Sequence, residues 1–417
     1  MASFSFGFSG DDIDADAAPE RHPVSTHQHQ HQHQPSTQQA SAFPIPGNPH
    51  HLPPQHHDLA SMLAGLPSKI AYSTLEICLE DGHTTVMLPR RELWDVRVQL
   101  MAEAAAEQEG SSPAERKEGQ DDEAIFLGAH DVKTGVYEGG FKSWESSGDL
   151  VKVLGAECHP RLWGGRSARI IELGCGTALP SLALFQWAMA LKTAPSTSPG
   201  TSTSMSTTTT SSSNPPQQQA ISFILADYNP TVLQLVTLPN FILSWALHHH
   251  QRPHSPLLSA VTEALSLPGE LELTPPLLDL FRQDLSQHAI RLSFLSGGWS
   301  TSFLDLMYSL PAHPHTPPPG IVQTPPRGTS LLLGAETIYS PLALQTFRDM
   351  VLSVLEREAE AEADASAWVA AKKLYFGVGG SLDDFVAQLR SRGLTVENVK
   401  EETDGVRRAV VRCVRPR

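Results

Sequence analysis

The chain is 417 residues long and carries 45 acidic against 30 basic side chains, a formal net charge of −15. That balance argues against a phosphate-gripping nucleic-acid surface and is compatible with a basic protein partner. The four cysteines (Cys78, Cys158, Cys175 and Cys413) form no C-x-x-C pair, the N-terminus lacks a leader pattern, and no segment reads as a membrane span, so reduced intracellular thiols are expected rather than a disulfide framework, and no membrane-spanning segment is expected.

Residues 1–67 are rich in His, Gln, Pro and Ser and are expected to be disordered. The His/Gln alternation from His27 to Gln34 is read as part of that polar repeat, with metal binding the lesser reading. An accessory segment follows at 68–101, where Ile70, Tyr72, Leu75 and Ile77 alternate roughly as a strand. Residues 102–124 read as an acidic linker. The nearest approach to a membrane span is Arg169–Leu191, broken by Glu172 and Pro180.

The rest, 125–417, alternates short apolar runs with helical periodicity, the pattern of an α/β domain. Strands are predicted at Arg169–Leu173, Ile221–Ala226, Ile290–Leu295, Leu331–Ala335 and Lys373–Val378. Helices are predicted at Leu179–Leu191, from Thr231 with a bend near Pro239, through Leu344–Leu355, and from Ser381, whose pairing with Asp384 is a capping box. Val396–Lys400 and Val406–Val414, joined across Asp404-Gly405, form a hairpin signal. A mostly parallel sheet closed by a terminal antiparallel hairpin is the seven-stranded, Rossmann-like sheet of the class I methyltransferases. Low-complexity insertions at 193–219, 248–287 and 311–329 interrupt it. Helices around Leu257–Leu265 and Leu277–Leu285 fit inside the second.

The sharpest motif is Glu172-Leu173-Gly174-Cys175-Gly176 at the end of a buried strand. Its E-x-G-x-G pattern departs from the G-x-G-x-x-G that cradles a pyrophosphate. An acidic glycine turn suits the sulfonium and ammonium groups of S-adenosylmethionine better. Asp227 ends the next strand, about 24 residues beyond Gly176 once the first insertion is set aside, close to the ~20 expected for a ribose-binding carboxylate. The reading requires Glu172 and Asp227 to converge on one cleft.

Several further segments carry a family likeness. Val136-Tyr137-Glu138-Gly139-Gly140 running into Trp144-Glu145-Ser146-Ser147 resembles the lead-in segment of the protein-histidine N-methyltransferases. Ala335–Pro341 and Tyr375–Gly380 are similar to the segments after that family's fourth and fifth strands. Gly298-Trp299-Ser300, Val236–Asn240, Pro89–Leu93 and the opening Phe4–Phe8 are also family-like. The resemblance implies cofactor contacts from Trp144, Glu145, Ser146, Ser147, Gly174, Asp227, Tyr228, Asn229, Gly298, Trp299, Ser300 and Ala335, to which the motif reading adds Glu172 and Gly176. Ala335 replaces a family serine, and Ala178 stands where many relatives have glycine or a small polar residue.

It also implies methylation of a histidine ring nitrogen, the one remote from the backbone, in large-subunit ribosomal protein three. The expected setting is cytoplasmic and nuclear, with a protein substrate, no direct nucleic acid and a monomeric chain. Glu336 is the candidate partner of the imidazole N–H, with Tyr339 shaping the pocket wall. Competing readings make Glu336 a helix cap, Trp144 or Trp299 core aromatics, and Glu145 a solvated charge. Two other functions stay open, a lysine methyltransferase of the same fold and a non-catalytic ribosome-assembly or chaperone-binding factor.

Overall fold

A computed structural model describes residues 52–110, 140–157, 167–193, 219–310, 328–377 and 379–416. The chain begins with β1 (Gln55–His57), α1 (Leu59–Ala64), β2 (Lys69–Cys78), β3 (Thr85–Arg91) and α2 (Leu93–Gly110). Helix α3 (Glu145–Glu157) leads into β4 (Ala168–Leu173), α4 (Leu179–Lys192), β5 (Ile221–Asp227) and α5 (Pro230–His250). Next come α6 (Leu258–Ala264), β6 (Glu270–Glu272), α7 (Pro275–Gln287), β7 (Ile290–Ser296) and α8 (Thr301–Ser309). The last third holds β8 (Thr329–Ala335), α9 (Pro341–Glu360), β9 (Asp364–Lys372), α10 (Leu382–Ser391), β10 (Thr395–Glu402) and β11 (Arg408–Val414).

The main sheet has the order β1-β7-β5-β4-β8-β9-β11-β10. Its strands β7, β5, β4, β8 and β9 are parallel, and β11 inserts antiparallel between β9 and β10. Leaving out the edge strand β1, this is the seven-stranded arrangement with the terminal hairpin that the sequence predicts. The chain reverses its winding between β4 and β8, which opens a crevice at the carboxyl ends of those strands. A small sheet, β3-β2-β6, stands beside it.

Successive residues of the central strands enter opposite cores. Ile170, Phe223 and Leu331 face one, while Ile171, Ile224 and Leu332 face the other. Burial on both faces explains why these strands read as unbroken apolar runs rather than alternating ones. The first core holds Phe185, Phe223 and Phe241, packed edge-on at 5.1–6.0 Å between centroids, an arrangement favoured by the ring quadrupoles. Helix α5 is long and apolar enough to cross a membrane, but 78% of its apolar window is buried in protein. It is a core helix.

Four expectations are corrected. The unpacked N-terminal region does not reach residue 67, because β1 pairs with β7 and Asp58 caps α1 through the Ser61 amide. The accessory helix α2 continues to Gly110, into the first part of the expected linker. The strand expected at Lys373–Val378 lies earlier, as β9, and Tyr375 instead folds back to donate its amide to Gly380. Its true residues, Asp364 to Lys372, are alanine-rich and carry no period of two. The insertion at 248–287 is structured throughout, with the two anticipated helices as α6 and α7 and β6 added to the small sheet. Phe4–Phe8, the His/Gln tract, Val136–Gly139, residues 111–124 and most of the other two insertions lie outside the described residues.

Candidate active site

The site is built on the turn after β4. Gly174 and Gly176 both have left-handed backbone, with φ of +66° and +51°, a conformation cheap only for glycine. A Cβ on Gly174 would stand 2.9 Å from Thr337 Cγ2 and 3.7 Å from the Trp299 ring, and one on Gly176 3.0 Å from the Gly140 oxygen. The two glycines thus let the ends of β7 and β8 and the lead-in segment close on one point. Ala178 also sits at positive φ, +57°, a conformation that glycine would adopt without steric cost.

Helix α5 holds that turn in place. Thr237 Oγ1 donates to the Gly176 carbonyl at 2.7 Å, and Asn240 Nδ2 to the Thr177 carbonyl at 3.0 Å. Both come from the family-like Val236–Asn240 segment. A π-helical turn at Leu233–Thr237 precedes Pro239, the bend expected there, since proline lacks the amide that would continue the α ladder.

The two acids converge from neighbouring parallel strands. Asp227 receives the Gly176 amide on Oδ2 and the Asn229 amide on Oδ1, each at 3.1 Å. Burial pushes its carboxyl up to about 6. Glu172 accepts the Ser181 amide at 3.0 Å, tying β4 to the first turn of α4. Burial, reinforced by the charge of Asp227, pushes it up to about 8, so of these two acids Asp227 is the one that carries charge at neutral pH. Glu172 braces the floor, and Asp227 faces the turn.

The lead-in segment crosses from the glycine turn to the end of β8. Ser143 Oγ donates to Thr177 Oγ1 at 3.2 Å, and Ser146 Oγ donates to Glu336 Oε1. Trp144 is 40% exposed and lies under Lys372 Nζ, 5.3 Å from its ring centroid, so it is no core aromatic. Glu145 pairs with Arg408 at 2.5 Å, and the amide of Ser147 closes the first turn on the Trp144 carbonyl. Glu336 has φ +56°, a conformation that costs a non-glycine residue about 1–2 kcal/mol. Such strain gathers at functional sites. It is not a helix cap, because Ser340 caps α9. Burial raises the Glu336 carboxyl above the usual carboxylate range, against bonds from Ser146 and Tyr375 and the charges of Lys372 and Arg408. Tyr339 follows on the same loop, its carbonyl accepting the Gly380 amide at 3.1 Å.

The far wall comes from β7 and the N-terminal strap. The Gly298 amide donates to the Leu52 carbonyl at 2.9 Å, and the Leu52 amide to Tyr228 Oη at 3.1 Å. Trp299 turns in over Gly174, while Ser300 is exposed and caps α8 through the Phe303 amide. Trp299 Nε1 and Thr337 Oγ1 are buried without a hydrogen-bond partner. Two orphaned polar atoms flanking Gly174, with acceptor capacity left on the Asp227 carboxylate beyond its amide donors, fit a polar small molecule carrying hydroxyl and amino-acid groups. Gly174, Gly176, Asp227, Trp299, Thr337, Ala335 and Glu336 therefore surround one crevice. Ser147 and Ser300 make local structural bonds, and Glu145 makes a long-range ion pair with Arg408. Tyr375, Thr337 and Lys372 carried no role in the sequence reading. Tyr375 and Thr337 stood inside quoted segments, but their partners are set by packing between strand ends.

The strand order, the E-x-G-x-G turn and the acid closing the next strand define a class I methyltransferase, the S-adenosylmethionine-dependent class. No family model matches the chain. It is 29% identical to histidine protein methyltransferase 1 of Saccharomyces cerevisiae over 99% of this chain and 98% of that protein. It is 30% identical to histidine protein methyltransferase 1 of Schizosaccharomyces pombe over 85% of this chain and 83% of that one. A homologue from Bos taurus is 25% identical over 69% of this chain and 58% of its own. The chain belongs to the histidine protein methyltransferase 1 family.

Proposed function

We propose that this enzyme methylates a ring nitrogen of a histidine in another protein, and that the substrate is large-subunit ribosomal protein three, met in cytoplasm and nucleus. The observation that carries the chemistry is Glu336, a half-buried carboxylate in strained backbone just past the end of β8, across the glycine turn from Asp227. S-adenosylmethionine supplies an electrophilic methyl group on sulfur. Asp227 would accept its ribose hydroxyls, the Gly174 backbone would leave room for its methionine moiety, and the unpartnered Trp299 Nε1 and Thr337 Oγ1 would gain partners.

A neutral imidazole, with an ordinary pKa near ~6.5, needs no strong base before it attacks. It needs one tautomer, one orientation and exclusion of water. Glu336 accepts the N–H of the non-attacking nitrogen, which leaves the other lone pair facing the methyl group. Transfer of the methyl group to the ring nitrogen would leave the imidazole cationic, and the Glu336 carboxylate would stabilise that charge. The N–H proton then leaves to give neutral methylhistidine. Tyr339 lines the wall. The choice of ribosomal protein rests on the motif resemblance and on the acidity of this chain, complementary to a basic substrate.

Recombinant protein, labelled S-adenosylmethionine and ribosomal protein three test the reading, with product mapped by mass spectrometry. One methyl on one histidine is expected. Label confined to lysine, or none with full cofactor binding, would overturn it.

A further inference from the structure

Tyr375 lies three residues past the end of β9, buried beside Glu336. Its hydroxyl accepts the Lys372 amide at 3.4 Å and lies close enough to the Glu336 carboxyl for each group to influence the other's ionisation. With an oxygen lone pair facing that amide, the phenol's single proton is directed at Glu336. Ser146 at the start of α3 donates to the same carboxylate from the other side. We propose that Tyr375 and Ser146 are positioning residues that hold Glu336 ionised and aimed at the target imidazole. This rests on the reading of Glu336 as the imidazole's partner.

The geometry separates this role from simple packing. Glu336 has few rotameric options, because its backbone is already fixed at positive φ with its amide bonded to the Ala370 carbonyl at 3.0 Å. Two donors from different elements then fix its carboxyl plane. The charged groups facing it are Lys372 from β9 and Arg408 from β11. Arg408 is already committed to Asp149 at 2.7 Å and Glu145 at 2.5 Å. Burial works against ionisation, while the Ser146 and Tyr375 hydroxyls and the charges of Lys372 and Arg408 work for it. Tyr375 itself stays protonated, since burial and the neighbouring carboxylate drive its phenol upward. It is a permanent donor.

The test is the pH dependence of kcat/KM for full-length protein, comparing wild type, Tyr375→Phe and Ser146→Ala on one substrate. The imidazole of the substrate titrates identically in all three reactions, so any difference between profiles reports the enzyme. Removing either donor disfavours the ionised carboxylate and moves the acidic limb to higher pH. Rates fall roughly tenfold below the limb and recover as pH rises, the scale of one hydrogen bond to a charge. Affinity for S-adenosylhomocysteine is unchanged in Tyr375→Phe, because Tyr375 makes no bond to Asp227 or the glycine turn. Profiles superimposable on wild type in both variants overturn the inference, as does a loss equal at every pH, which marks a structural role. Ser146→Ala supplies the answer should Tyr375→Phe fold poorly. Glu336→Gln separates the two readings. Full activity in that variant removes the imidazole partner itself, whereas loss of activity there with unmoved Tyr375→Phe and Ser146→Ala profiles removes only the positioning role.

Discussion

The guanidinium of Arg91 donates from Nη1 to the main-chain oxygen of Leu235 at 2.9 Å, four residues before Pro239, where an α-helix would have used an amide that proline lacks. Arg91 is buried, and it also bonds Asp95 at 2.6 Å and Gln99 at 2.8 Å. Its amide meets Asn240 Oδ1 at 2.7 Å. Two family-like segments, Pro89–Leu93 and Val236–Asn240, are thereby one construction. The arginine of the first repairs the helix of the second, whose Thr237 and Asn240 then hold the glycine turn.

Arg91→Ala should therefore destabilise the fold by about 3 kcal/mol, because it strands Asp95 and the Leu235 carbonyl in a buried setting. Differential scanning calorimetry should show a fall of several degrees. Affinity for S-adenosylhomocysteine should weaken as well, although Arg91 contacts only the brace. Unchanged affinity in a destabilised variant would mean that α5 does not control the turn.

Gly174→Ala places a methyl group 2.9 Å from Thr337 Cγ2 in backbone with φ +66°. The left-handed backbone alone costs about 1–2 kcal/mol, and the clash pushes β4 and β8 apart at the crevice. Cofactor affinity should drop at least tenfold, with a smaller loss of thermal stability. Asp227→Asn keeps the size of the side chain but removes the charge. It should weaken binding about a hundredfold, the scale of two hydrogen bonds to a charged acceptor, measured by calorimetric titration.

The pH dependence of ligand-free stability follows from Glu172. Its carboxyl stands at about 8 in the folded protein against 4.5 ordinarily, because it is buried. Below pH 4.5 folded and unfolded chains both keep that proton, and its contribution is fully present. As pH rises toward 8 the unfolded chain gives the proton up while the folded chain retains it, so stability declines across that window. Asp227, raised to about 6, adds a smaller loss at the lower end. Glu172→Gln still accepts the Ser181 amide and cannot ionise. Melting curves between about pH 5 and 8.5 should fall for wild type by the equivalent of a few kcal/mol and stay flatter for the variant. Parallel curves would show Glu172 ionised in the folded state.

The central sheet and both acids were legible because their signals are local. A buried strand ending in glycine, or in aspartate, announces itself within ten residues. Strand β9 did not, since Ala365, Ala367, Ala370 and Ala371 are residues that favour helix in isolation and become strand only between β8 and β11. The more strand-like Leu374, Tyr375 and Phe376 fall in the turn beyond it. Tyr375 likewise has no meaning without Glu336, 39 residues earlier in the chain and adjacent only after folding. Glu172 shows the converse. Its place in the motif was plain, but only the structure turns it toward Ser181.

The N-terminal strap was hidden by composition, since Leu52 to His57 is proline- and histidine-rich. Its pairing is almost wholly main-chain. Gln55 to His57 register against Ser296 to Phe294, His57 Nε2 meets Ser296 Oγ at 2.7 Å, and Leu52 bonds both Tyr228 and Gly298. A Cβ on Gly297 would fall 2.4 Å from the Pro53 oxygen, so glycine is required for the strap to lie this close. The strap also covers the β7 edge, which would otherwise present open amides and carbonyls. Removing residues 1–51 should leave S-adenosylhomocysteine affinity intact. Removing 1–57 should weaken it about tenfold, the scale of two neutral hydrogen bonds lost from the pocket wall, and promote aggregation visible by light scattering. Leu52→Pro isolates one contact, deleting only the amide that holds Tyr228, and should give an intermediate loss. Equal affinity for all four proteins would show that the strap is packing for the sheet edge and has no part in the cofactor pocket.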